Sequence, residues 1–377
     1  MNLQKRIRDP ELARGLTKRL RSFGTSRKIT IMEVCGTHTM AIHRSGLPSL
    51  LPEGIRLISG PGCPVCVTPG RYLDNAVTLA RKYGVMLTTF GDMMRVPGSL
   101  GTLSSLRSEG YDVDVVYSPL NALEIAEKNP DREIVFLAVG FETTAPVVAS
   151  TILMAEEKKI KNFSILSANK LIIPALTVLI NDPQLAVDGF LLPGHVSIVL
   201  GPEPYDFIAK EYKRACVIAG FEYPDIVQAL FLLAAQIEKN EYRVEIQYKR
   251  GVHAGGNKQA QKIMYRVFQS SDTDWRGFGC IPQSGLAVKE EFSQFDASKR
   301  FPVHEKFPPE PSACRCGDVL RGLISPHECS LYGKSCSPNN PVGPCMVSSE
   351  GTCAAFYRYS RRPCIQGKKQ TEAFGAN

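Results

Sequence analysis

A chain of 377 residues with 44% hydrophobic content can bury a sizeable core and is too long for one ordinary domain, so two or three domains are expected. The formal net charge is +8, and Lys and Arg are scattered without a run of five or six, which argues against nucleic-acid binding and leaves an acidic protein partner as the class a weakly basic face would favour. The opening MNLQKRIRDPELARGL lacks the apolar centre of a secretory signal, and the longest apolar stretch, 226–237, is broken by Gln228 and Gln236 and falls short of the ~20 residues a bilayer needs, so a cytoplasmic protein with no membrane contact is expected.

Residues 11–23 have the pattern of a short amphipathic helix. From residue 28 short runs rich in Val, Ile and Leu predict strands at 28–34, 55–59, 85–90, 112–118, 133–140, 163–168, 187–192 and 215–220. Helical stretches at 70–83, 119–128 and 225–239 alternate with them, which is the signature of parallel sheets with helices on both faces. Eight strands suggest an α/β protein of two doubly wound parallel-sheet lobes. The division expected is an N-terminal helix in 1–27, a first lobe in 28–125, a second in 126–240, and a connecting segment with a Cys-rich C-terminal region in 241–377. Within the last part, 242–250 reads as one more strand and 257–269 as a helix. Beyond about residue 300 the chain is rich in Pro, Gly and Cys and has little apolar periodicity, so it needs a metal or disulfides to hold it.

The unusual loops follow predicted strands directly. CGTH follows the first, GPGCPVC the second, GDMMRVPG the third, GFETT the fifth and PGHVS the seventh. Ligands of open α/β sheets bind at the carboxyl ends of strands, so these five loops are expected to converge on one cleft.

Twelve cysteines need a reason in a reducing compartment, where clustered thiols mean metal or redox chemistry more often than structural disulfides. Cys63 and Cys66 form a C-x-x-C pair in a turn held by two glycines and a proline, a geometry suited to disulfide exchange or metal ligation. Cys35 ends a buried strand with His38 three residues on, either a nucleophile–base pair or two ligands to one metal. Cys316, Cys329, Cys336 and Cys353 are spaced C-x12-C-x6-C-x16-C, and four thiolates so placed suit a [4Fe–4S] cluster or, alternatively, zinc. Cys314, Cys345 and Cys364 are surplus, and spacing does not decide between Cys314 and Cys316.

Weaker candidates are His195 at a strand end and Glu142 near a helix start that Thr143 or Thr144 would cap. Asp92 is expected to pair with Arg95 within its loop. Met93, Met94 and Trp275 read as packing residues, and Cys216 and Cys280 as buried small ones. The chain has no phosphate-binding G-x-x-x-x-G-K-[ST], no G-x-G-x-x-G after the first strand and no G-x-S-x-G elbow, so nucleotide-dependent and hydrolase chemistry have no motif support.

MEVCGTHT, GPGCPVCVTP, FGDMMRVPG, VYSPLNAL, GFETT, PGHVS, CG-x-VL-x-G and MVSSEG-x-CAA occur in this order. With them the chain, from about residue 28 to 358, resembles the HypD family of hydrogenase maturation factors. The resemblance implies two α/β lobes and a C-terminal cluster region similar to that of ferredoxin:thioredoxin reductase. It implies an accessory scaffold rather than a conventional enzyme, working with the small chaperone HypC. Together they would hold one iron while it gains two cyanides and one carbon monoxide for nickel–iron hydrogenase. Cyanide would come from HypE, charged by HypF, and the iron group would pass to the hydrogenase large subunit.

Carried over by motif, Cys35 would ligate the iron under assembly and His38 would support that site. Cys63 and Cys66 would be the redox pair, and Cys316, Cys329, Cys336 and Cys353 would hold the [4Fe–4S] cluster. Met40 stands where some members carry a second histidine. The competing readings are a stand-alone iron–sulfur thiol–disulfide reductase, which leaves Cys35 and His38 unexplained, and a zinc-stabilised binding module.

Overall fold

The computed structural model describes residues 10–22, 24–308, 310 and 313–360. Helix α1 (Pro10–Arg21) precedes β1 (Ile29–Glu33), α2 (Gly36–Arg44), β2 (Ile55–Ser59), α3 (Pro64–Val67) and α4 (Gly70–Tyr83). Then come β3 (Met86–Thr89), β4 (Val113–Val115), α5 (Pro119–Lys128), β5 (Ile134–Gly140), α6 (Ala145–Glu157) and β6 (Phe163–Asn169). The chain continues through β7 (Gly189–Pro193), β8 (Ala215–Ala219), α7 (Tyr223–Lys239), β9 (Val244–Ile246) and α8 (Lys258–Val267). All eight strands expected from apolar runs are present, and β9 and α8 fall inside the two segments expected after residue 240.

The runs form strands because both faces of each sheet are covered. In β5 every residue of IVFLAVG is buried, as a central parallel strand requires. Helix α4 ends where Gly84 takes φ +64, a left-handed cap, and its amide donates to the Ala80 carbonyl.

Nine strands divide into two parallel sheets, in the orders β2-β1-β7-β8-β9 and β4-β3-β5-β6. These sheets cut across the expected division near residue 125. Strand β3 pairs with β4 and β5, and β5 with β6, while β1 pairs on one side with β2 and on the other with β7, more than a hundred residues later, so β3–β6 are inserted between the two halves of the first sheet. Apolar runs mark strands but carry no record of their neighbours, because a parallel neighbour is reached only through a crossover.

One face of the first sheet (Ile29, Ile31, Leu191, Val217) packs on Leu20 of α1, Ile42 of α2 and Leu230 of α7. Its other face (Met32, Val34, Leu192) joins Leu137, Val139 and Leu166 of the second sheet in one shared cluster with Leu73 and Val77 of α4. The far face of the second sheet (Phe136, Ile134, Ile165) packs on α6 and α8.

The antiparallel hairpin β10 (Phe268–Trp275) and β11 (Gly279–Val288) has no counterpart among the sequence expectations. The polar run SSDTD of β10 and a register shift between Ser271 and Thr273 hide its period of two. The Cys-rich region that follows is turns and single helical turns, including α9 (Cys316–Leu320), before α10 (Thr352–Tyr359). Among the described residues no helix is long and apolar enough to cross a membrane.

Candidate functional site

In each parallel sheet the strand order reverses once, between β1 and β7 in the first and between β3 and β5 in the second. Loops leaving neighbouring strands diverge at such a point and leave a crevice. The two crevices share one cleft of about 550 Å³. It is lined by Cys35 and Thr37, by Gly62 and Pro64, by Gly91 and Asp92, by Phe141 and Thr143, and by Pro193 and His195, so all five expected loops reach it. A sixth wall, Ser348, Ser349 and Glu350, comes from the Cys-rich region, within the MVSSEG motif.

Cys35 is the extended residue (φ −152, ψ 119) just before α2. Its amide donates to Glu33 Oε2 at 3.0 Å. Burial pushes its thiol up to about 12, opposed by hydrogen bonds from the amides of His38 and Thr37 in the first turn of α2. Glu33 is itself buried and pushed up to about 8, against hydrogen bonds from Thr39 and Ser59. Thr37 Oγ1 donates to Glu350 Oε1 at 2.6 Å, which ties α2 to the Cys-rich region.

His38 does not line the cleft. Its ring is fully buried, Nε2 donates to the Gly220 carbonyl at 2.9 Å, and Nδ1 has no partner among the described residues. Burial lowers it to about 4. Phe221 is sandwiched between His38 (4.6 Å between ring centres) and His195 (3.9 Å), and His195 is the imidazole that borders the cleft.

Cys63 and Cys66 are joined by a disulfide, with Cα atoms 5.2 Å apart. Cys63 caps α3, and its Sγ accepts from the Cys66 amide at 3.1 Å. The turn before it lies on the Cys35 backbone: the Gly36 amide donates to the Gly62 carbonyl at 3.0 Å. A Cβ on Gly62 would fall 2.5 Å from the Cys35 carbonyl carbon and nearer still to its N and Cα, so only glycine fits. On its other side α3 packs against α9 and the single turn Pro344–Met346, which carry Cys316 and Cys345.

There six cysteines line one small apolar cavity with Val319, Leu331, Tyr332 and Met346. They are the four expected, Cys316, Cys329, Cys336 and Cys353, together with Cys314 and Cys345; Cys364 lies outside the described residues. Thiol hydrogen bonds link Cys314 to Cys316, Cys316 to Cys345 and Cys345 to Cys353. The Cys314 thiol is raised by its bond to Cys316 and by burial. That of Cys316 is lowered by Cys314 but raised further by Cys345 and by burial, for a net rise.

The free space is about 20 Å³, so the thiols fill the site themselves. Among the described residues no three His, Cys, Asp or Glu side chains are placed to hold a single metal ion. Six thiols around one apolar cavity include the four that an iron–sulfur cluster would need, so the donor set fits such a group. Cys345 therefore lies among the four; spacing leaves it surplus because a count of intervening residues does not say which thiols the fold brings to one cavity.

Three smaller expectations change. Asp92 does not pair with Arg95: it accepts from Ser348 Oγ at 2.8 Å and the Ser349 amide at 3.3 Å, while Arg95 donates to the Pro338 carbonyl. Thr144 occupies the cap position of α6, but its hydroxyl turns back to the Phe141 carbonyl at 3.2 Å and caps nothing. Cys280 is exposed on β11, whereas Cys216, Met93, Met94 and Trp275 are buried as expected. Glu142, between the lining residues Phe141 and Thr143, is buried, accepts from the Ile172 amide at 2.9 Å, and is pushed up to about 7 by burial.

The chain matches the HypD family model, described as the hydrogenase formation hypA family, over residues 11–360. It is 46% identical to the hydrogenase maturation factor HypD of Azotobacter vinelandii, over 94% of this chain and 96% of the relative. It is 43% identical to the protein of that name from Escherichia coli (strain K12), over 94% and 97%. It is 45% identical to the hydrogenase expression/formation protein HupD of Azotobacter chroococcum mcd 1, over 94% and 96%.

Proposed function

The chain belongs to the HypD family of hydrogenase maturation factors, and we propose that it is the cytoplasmic scaffold on which, with a HypC-type chaperone, one iron acquires its cyanide and carbonyl ligands. The observation that carries this reading is the contiguity of three thiol groups. Cys35 borders the cleft, the Cys63–Cys66 turn lies on its backbone, and the six-cysteine cavity lies against α3.

Cys35 is the thiolate that holds the incoming iron. Its proton leaves when the metal binds, because a thiol with a pKa near 12 is protonated in the free protein. The amides of Thr37 and His38 then stabilise the thiolate. The apolar walls Val34, Val65 and Phe141 exclude water and competing ligands. His38 supports the site from behind, by fixing α2 to the end of β8 through the Gly220 carbonyl and Phe221. The Cys63–Cys66 disulfide takes up two electrons and two protons to become a dithiol.

Cys316, Cys329, Cys336 and Cys353 would hold a [4Fe–4S] cluster, with Cys314 and Cys345 beside them. When bound, such a cluster supplies single electrons. HypE, charged by HypF, is the source of cyanide, and the hydrogenase large subunit receives the product.

The test is the infrared spectrum of the chain purified anaerobically from cells that co-express its small chaperone. Bands of iron-bound cyanide and carbon monoxide, lost in Cys35→Ala, are expected. Their absence from an intact complex, with disulfide reduction on soluble substrates, would favour a stand-alone thiol–disulfide reductase.

A further inference from the structure

The turn between β10 and β11 holds a buried guanidinium to which no role has been attached. Arg276 is 9% exposed. Its amide donates to the Val67 carbonyl at 2.8 Å and its Nε to the Thr68 carbonyl at 3.4 Å, so it grips the end of the disulfide-bearing helix α3. Its Nη1 pairs with Glu310, whose Oε1 also accepts from the Gly70 amide at the start of α4. Its Nη2 is buried and has no partner among the described residues.

The next residue, Gly277, has φ +83 and lies against Gly317, so close that a Cβ there would meet the Gly317 carbonyl at 3.0 Å. The turn is thus wedged between α3 and α9, one residue from Cys316. The contact of Gly277 with Gly317 places this buried guanidinium beside the stretch that carries Cys314 and Cys316. The cation on the cavity wall itself, Arg315, is exposed and paired with Asp318. Water screens that charge, whereas a buried one acts at a lower effective dielectric.

We infer that Arg276 is a positioning residue for the redox elements: it clamps the Cys63–Cys66 turn against the cysteine cavity and supplies the buried positive charge that favours electron entry there. The inference rests on the reading that the cavity carries a four-iron cluster. Such a cluster with four thiolates gains one negative charge on reduction, and its potential follows the charges and hydrogen bonds around it. A fixed cation stabilises the reduced form. Its counterion Glu310 offsets part of that effect, so the two residues must pull the potential in opposite directions.

The experiment uses the full chain, purified anaerobically, with iron and acid-labile sulfide counted first. The cluster is then titrated with dithionite and mediators and followed by electron paramagnetic resonance. Arg276→Gln is expected to make one-electron reduction about tenfold less favourable, a shift of about −59 mV. Glu310→Gln is expected to shift it the opposite way, and Arg276→Lys, which keeps the charge, to stay near the parent. A parent-like potential in fully loaded Arg276→Gln overturns the inference, as do shifts of the same sign in both neutral variants. Should Arg276→Gln fail to hold its cluster, Glu310→Gln decides alone, and no positive shift there overturns it. Absence of labile sulfide from the parent chain would instead overturn the cluster reading on which this rests.

Discussion

Replacing Glu33 by Gln should make the protein more resistant to alkali without rebuilding the site. Glu33 is 1% exposed beneath Cys35. Its oxygens take the Cys35 amide at 3.0 Å and the Thr39 hydroxyl at 2.5 Å. Burial raises its carboxyl from 4.5 to about 8. A raised acid contributes stability that is fully present below its unfolded value and is lost as pH climbs through the folded one. The window is therefore pH 4.5 to 8, and 3.5 units at 1.36 kcal/mol each give about 5 kcal/mol as the upper limit. Glutamine copies the protonated acid: its carbonyl accepts from the Cys35 amide and its NH₂ donates to Thr39. Urea denaturation under anaerobic conditions at several pH values would compare the two proteins. They should be similarly stable at pH 5, with the variant gaining by several kcal/mol at pH 9. Glu142 titrates in the same direction, and His38 and His43, both lowered to about 4, lose stability only as pH falls below 6.5, so the difference between variant and parent isolates Glu33. A difference that stays constant from pH 5 to 9 refutes the assignment of a buried neutral acid.

Gly62→Ala should cost about 3 kcal/mol or more, since the new Cβ meets the Cys35 backbone rather than a side chain that can rotate away; an unchanged urea midpoint would contradict the close packing of the two loops. Cys336→Ala should abolish acid-labile sulfide in the anaerobically purified chain, while Cys345→Ala should retain it with an altered electron paramagnetic resonance line shape. Full sulfide retention in Cys336→Ala would remove that residue from the ligand set.

The strands were legible because burial on both faces leaves a run such as IVFLAVG with no polar residue to disguise it. The cleft was legible for a related reason, since loops that leave parallel strands at one edge have nowhere else to converge. What the chain order hid was distance in space. Nothing in residues 86–169 says that their sheet interrupts another, because pairing of β1 with β7 leaves no local mark. The same blindness separated Cys345 from the cysteines it touches and gave Asp92 a neighbour in sequence, Arg95, in place of its partners Ser348 and Ser349. His38 reads as a partner of Cys35 because it stands three positions on, yet on α2 its ring turns inward to Gly220 and leaves the cleft to His195.

The inserted sheet explains how several kinds of group come to line one cleft. A single parallel sheet offers one reversal of strand order, and so a crevice walled by two main loops. Here two sheets present their reversals to a common space, and the Cys-rich segment closes it through Thr37–Glu350 and Ser348–Asp92, one bond to each sheet. That segment cannot build a core of its own, so its cysteines are held where the α/β frame puts them, against α3 and one helix away from Cys35. If those cysteines hold a cluster, its loss should loosen the cleft wall at Ser348–Glu350 as well, since the same 316–353 stretch supplies both the cysteines and that wall.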